Sequence, residues 1–118
     1  MIAISSITLE ELENIKTSAN KDADIKYAAR KLLHILDKNM DNYIIQIYQD
    51  KYIKPIIKKG ISINNDMKIL SCALELQKQY DIEFVTNDLA LKYIALLFFK
   101  KVSCVQEDYD NYTGFQDI

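Results

Sequence analysis

Three carboxylates stand where an ordinary fold could put them to chemical use. Asp88 lies at the turn from an apolar stretch into a helix-forming one, Asp66 falls in the first turn of another helix-forming stretch, and Glu11 lies one turn into a third. With apolar strands placed between such helices, all three acidic groups are expected to face one edge of a sheet. In an open α/β sheet the ligand crevice lies beyond the carboxyl ends of the strands, and carboxylates converging there make a hard-oxygen site suited to Mg²⁺ or Mn²⁺. One or two such ions can generate hydroxide from water and hold a phosphodiester for in-line attack. The same residues also have a plainer use, since an acidic group in the first turn of a helix is stabilised by capping and by the helix dipole by about 0.3–1 kcal/mol.

Other chemistries lack their residues. His34 is the lone histidine, four positions after Arg30 on the polar side of its segment, which places it at the surface. Ser71, Ser103 and the two thiols have neither a G-x-S-x-G elbow nor a companion His. Glycines at 60 and 114 alone can build neither a P-loop nor a G-x-G-x-x-G turn. Cys72 and Cys104 lie in apolar stretches without a CxxC pattern, and both read as buried free thiols rather than a disulfide or zinc ligands.

The elements that must position the carboxylates follow from periodicity. Ile2 to Ser5 leans to a strand, and Ser6 or Thr8 can cap a helix with Ile7, Leu12 and Ile15 at roughly helical spacing. After a polar break at residues 17–22, Ile25, Ala28, Ala29, Leu32, Leu33 and Leu36 form a 3.6-period stripe that ends near Asn39. Tyr43 to Tyr48 reads as a strand, and Tyr52 to Ile57 as either its hairpin partner or a short helix broken at Pro55. A helix with Ile69, Leu70, Ala73, Leu74 and Gln77 on successive turns runs from residue 65 to about Tyr80. Ile82 to Thr86 is a strand, Asn87-Asp88 a cap, and Leu89 to Phe99 a helix apolar nearly all round, which must be covered on most sides. Lys101 to Val105 is a last strand. The alternation predicts a three-layer α/β domain, a mostly parallel central sheet with helices on both faces, over residues 1–105, followed by an acidic, Tyr-rich tail or linker at 106–118.

Composition bounds the remainder. A chain of 118 residues with 49% hydrophobic and 27% charged residues, two Gly and one Pro is a packed single domain, neither a disordered chain nor a disulfide scaffold. The longest apolar run, Tyr93 to Phe99, is far short of the ~18 residues that argue a membrane span, and Glu10, Glu11 and Glu13 stand where a signal peptide would be cleaved. No membrane partner and a cytoplasmic location are the expectation. A net charge of −2 offers no general attraction to nucleic acid, and the one basic cluster is Lys51, Lys54, Lys58 and Lys59, interleaved with Tyr52 and Ile53. It reads as a solvated face or as a groove wall along a phosphate backbone.

Several segments resemble the PIN domain, a family of metal-dependent nucleases. Phe84-Val85-Thr86-Asn87-Asp88-Leu89-Ala90-Leu91-Lys92 is similar to the family's strand, Thr-Asn-Asp turn and helix. Asn65-Asp66-Met67-Lys68-Ile69-Leu70 resembles its Asp-x-x-Ile-Leu helix start, and Ile4 to Lys16 its strand leading into a Leu-Glu-Glu-Leu helix, with Ala29-Arg30 fitting on the next. Glu107-Asp108-Tyr109 and Tyr112-Thr113-Gly114 look like the segment that leaves the PIN domain of PhoH-like proteins, where an ATPase domain follows.

The resemblance covers about residues 2–38 and 65–117. It implies an endoribonuclease that hydrolyses single-stranded RNA with Mg²⁺ or Mn²⁺, with Glu11, Asp66 and Asp88 as catalytic metal ligands and Thr86, Asn87 and Lys92 on the substrate side. PIN domains begin with a strand ending in Asp-Thr-Asn, whose Asp is a further ligand, and nothing before Ile2 can hold it. The domain is therefore expected to be N-terminally incomplete. The missing strand would come from upstream, from another chain or through a homo-oligomer, or the chain is an inactive derivative that serves as a protein- or RNA-binding module.

Overall fold

The computed structural model describes residues 2–19 and 22–104, so the tail read at 106–118 lies outside the described residues. The chain divides into two compact units, Met1–Tyr80 and Asp81–Ile118. In both, strands of a parallel pair are joined through helices, as parallel pairing requires, and the fold is α/β.

In the first unit β1 (Ile2–Ser5) runs into α1 (Ser6–Thr17) with no residue between them. The cap is Ser5, not Ser6 or Thr8 as the sequence pattern suggested. Ser5 is the last residue in extended backbone, the conformation a cap needs, and its Oγ accepts from the Ile7 amide at 3.1 Å. The second helix, α2 (Ala23–Lys38), is capped by Asp22, whose Oδ1 accepts from the Asp24 amide at 2.7 Å, and it packs on α1. A 3₁₀ turn at Met40–Asn42 leads to β2 (Tyr43–Gln46), which pairs in parallel with β1, Ile2 opposite Tyr43 and Ser5 opposite Gln46.

The segment that the sequence left open is helical. A 3₁₀ turn at Asp50–Ile53 passes into α3 (Lys54–Lys58), and Pro55 lies in its first turn, where the missing N–H has no intrahelical partner to lose. Pro55 starts this helix instead of breaking it. Gly60 closes it at φ +78°, with the Gly60 amide donating to the Ile57 carbonyl and Ile61 to that of Ile56. This is a Schellman ending, which needs the left-handed residue that glycine supplies without strain. Then α4 (Asn65–Leu76) begins at Asn64, whose Oδ1 accepts from Met67 at 2.9 Å, and it stops four residues short of Tyr80 in a series of turns. It carries the heart of this unit's core: Met67, Leu70, Ser71, Cys72 and Leu76 are buried, with Ile7, Ala29 and Ile56 from the other helices. Full burial of Ile56 and Leu70 stabilises the unit by roughly 1.5–3 kcal/mol for each side chain.

In the second unit β3 (Glu83–Val85) pairs in parallel with β4 (Lys101–Ser103), Glu83 opposite Lys101. Between them α5 (Leu89–Ala95) is shorter than the helix expected to reach Phe99, the chain turning after Ala95. Nor is it covered on most sides. A helix of seven residues buries one stripe, here Leu91 and Ala95 four apart, and Leu89, Tyr93, Leu96 and Leu97 are exposed. Phe84 and Phe99 are buried and stack with ring centroids 5.5 Å apart, and Lys101 meets Asp81 at 3.3 Å. Among the described residues no helix is long and apolar enough to cross a membrane.

Candidate functional site

Each candidate carboxylate sits at or near the start of a helix. Glu11 is half-buried on the second turn of α1 and Asp66 half-buried on the first turn of α4, both in the first unit. Asp88 is in the second unit, exposed, and is the N-cap of α5: its Oδ1 accepts from the Leu91 amide at 3.0 Å. Thr86 shapes the turn before it. The Thr86 amide donates to the Ser103 carbonyl at 2.9 Å, and its Oγ1 accepts from the Asp88 amide at 3.1 Å. β4, that hydroxyl and the cap thus fix where Asp88 stands. Asn87 is exposed on the same turn, and Lys92 is half-buried in the next turn of α5.

The first unit has a polar joint at the carboxyl ends of its strands that sequence reasoning missed. The Ser5 hydroxyl donates to the Cys72 sulfur at 3.4 Å while accepting from Ile7, and the Cys72 thiol points to the Gln46 carbonyl at 3.9 Å. Ser6 Oγ accepts from the Tyr48 amide at 2.9 Å, and the Lys68 ammonium lies 5.5 Å from the centre of the Tyr48 ring. These bonds tie β1, β2, α1 and α4 together, and so hold the helices that carry Glu11 and Asp66. Burial pushes the Cys72 thiol above its ordinary range, against the opposing pull of the Ser5 hydroxyl. Burial, and then Asp50, raises the Tyr48 phenol. Cys72 is buried and free as expected. Cys104 is free but only half-buried, because it follows the last residue of an outlying three-residue strand. The serine pair ahead of an acidic helix was the visible signal for this joint; the partner at Cys72 was not visible, being 67 residues away.

As donors, the three carboxylates fit a hard divalent cation. Among the described residues no three His, Cys, Asp or Glu side chains form a group that could hold a metal ion. The model of the PIN domain matches residues 1–99, a span that contains Glu11, Asp66 and Asp88. The chain belongs to the PIN domain family. No curated protein and no solved structure matches it. PIN domains are in general nucleases, and they typically use divalent metals. The PIN match extends over residues 39–64, the stretch in which the sequence offered no resemblance.

Proposed function

We propose that this PIN domain is an endoribonuclease that hydrolyses phosphodiester bonds of single-stranded RNA, with Glu11, Asp66 and Asp88 as the ligands of Mg²⁺ or Mn²⁺. The observation that carries the reading is the family match over residues 1–99 taken with the position of Asp66 and Asp88 at helix starts and of Glu11 one turn into α1. A bound divalent ion supplies a Lewis acid and an activated water. The chain's own contribution is to fix the ligands: the Thr86 and Ser103 bonds set the Asp88 turn, and the joint at Ser5 and Cys72 ties α1 to α4, the helices that carry Glu11 and Asp66. A three-layer arrangement around a mostly parallel sheet is part of the same proposal, and so is substrate contact by Thr86, Asn87 and Lys92.

The test is a manganese titration of RNA cleavage on the parent chain, Asp66→Asn and Asp88→Asn. Asn caps a helix as well as Asp does, so Asp88→Asn removes the charge and leaves the α5 cap in place. Cleavage should fall at least a hundredfold in both variants; equal cleavage by all three proteins defeats the assignment.

A second reading, a binding module that holds RNA without cutting it, is favoured by a different observation. Lys51, Lys54, Lys58 and Lys59 are all exposed along the turn before α3, the helix itself and its C-cap. Under that reading RNA is retained without added metal, binding weakens with salt, and Lys54→Glu with Lys58→Glu abolishes it while Asp66→Asn and Asp88→Asn have no effect.

A further inference from the structure

Residues 50–59 form one right-handed helical run, the 3₁₀ turn at Asp50–Ile53 passing into α3 with Ile53, Lys54 and Lys59 all in the αR region. Along it Lys51, Lys54 and Lys58 stand three and then four positions apart, one to each turn, so they share one side. Ile56, fully buried and two residues from both Lys54 and Lys58, marks the opposite side. The row is about 12 Å long at rises of about 2.0 and 1.5 Å per residue. All three lysines are exposed, and among the described residues no carboxylate pairs with them, whereas Lys16, Lys78 and Lys101 each meet one. Like charges at this spacing repel one another, a cost that a bound polyanion removes. The turn packs on α4. Tyr52 meets Tyr48 edge-on with ring centroids 6.4 Å apart, and the Lys68 ammonium lies 5.5 Å from the centre of the Tyr48 ring. Lys68 is two residues beyond Asp66 on α4, which keeps their backbones within about 7 Å. The row is therefore tied to a helix that carries a candidate metal ligand.

We propose that Lys51, Lys54 and Lys58 are a seat for the phosphate backbone of the RNA strand, outside the carboxylate site and serving the same substrate. The seat rests on the nuclease reading and deepens it: the lysines hold the strand on which the carboxylates act, where the binding-module reading has them hold RNA without cutting. Charge is presented at regular intervals along a line, as a phosphate chain presents its own, and ammonium groups meet phosphates as point charges. An anionic membrane would need a long apolar face beside the charges, and Ile57 is the one large apolar side chain that α3 exposes. The link through Tyr52, Tyr48 and Lys68 to α4, in a chain of a nuclease family, favours a nucleic acid over an acidic peptide. Phosphate contacts carry no sequence information, so the seat raises affinity for every RNA sequence alike.

Fluorescence anisotropy of an unstructured oligouridine without divalent metal, and manganese-dependent cleavage of the same RNA, test it on the full chain and its variants. With Lys54→Gln and Lys58→Gln together, metal-free binding should weaken about tenfold. The slope of log affinity against log salt should fall by about 1.4, or about 0.7 for each lost phosphate contact. In cleavage the loss should fall on KM and not on kcat, which also shows that the fold is intact. Lys51→Gln is an independent variant, expected to bind about threefold more weakly with a slope lower by about 0.7. Lys31→Gln with Lys38→Gln removes the same charge from exposed sites on α2 and should change none of these quantities. Binding and KM that ignore the row variants, or that respond equally to the α2 variants, overturn the proposal. So does binding of polyglutamate or of phosphatidylserine vesicles that depends on the row and is as tight as that of RNA. The nuclease reading fails separately. A parent that binds RNA through the row and never cuts it defeats that reading and keeps the seat, whereas cleavage abolished by Asp66→Asn, with binding and KM indifferent to the row, does the reverse.

Discussion

Helices α4 and α2 begin in the same way and end up in different surroundings. Each is capped by a side-chain oxygen of the residue just before it, Asn64 or Asp22, and each carries an apolar stripe that repeats every three or four positions. Yet α4 buries five residues, whereas α2, four residues longer, buries Ala29 alone. A cap and a stripe are local properties, and they decide that a helix forms and which side of it avoids water. What covers that side depends on elements distant in sequence: α4 has β1, α1 and the turn ahead of α3 against it, and α2 has α1.

The largest effect that could break the comparison is a matched pair of truncations. Leu70→Ala, at a fully buried site of α4, should cost about 2–5 kcal/mol in urea unfolding, while Leu32→Ala on α2, at a half-exposed site, should cost markedly less in the same measurement. Equal losses would mean that the α2 stripe is as well covered as that of α4. The caps should sharpen the contrast by showing none. Asn64→Ala and Asp22→Ala each remove one cap bond, and both should cost about 1 kcal/mol in the same measurement.

The smallest effect is the dependence on pH contributed by α4 through Cys72. Its folded thiol is raised above the ordinary range, so above that range the unfolded chain loses its proton first. This contribution is fully present below the ordinary thiol pKa and is lost as pH rises towards the folded value. Unfolding of Cys72→Ala at several alkaline pH values should show a shallower decline than the parent. A thiol reagent should also modify half-buried Cys104 before buried Cys72.

What the sequence made legible was the chemistry of neighbours. The Thr86 to Asp88 turn, the stripe of α2 and the helix start at Asp66 could be read because caps and periodicity act over three or four residues. The parallel pairing also followed, because short turns between alternating elements leave few other topologies. Pro55 stayed ambiguous, since the residue that breaks a helix interior also opens a first turn, and the ending at Gly60 is what resolves it. α5 was read as too long and too well covered because a continuous apolar run carries no mark of where its burial stops. Of the candidate site, the helix-start positions of the carboxylates were legible. Their distribution over two compact units was not, for no pattern at the level of neighbours encodes it.

The direct passage from β1 into α1 leaves that junction no slack. Strand ends at Ser5 and helix starts at Ser6, so inserting a single residue there would rotate everything downstream on α1, Glu11 included, by about 100° about the helix axis. Length variation in related chains should therefore be forbidden at the seam between strand and helix, where one extra amino acid would re-aim an acidic side chain without altering a single residue type.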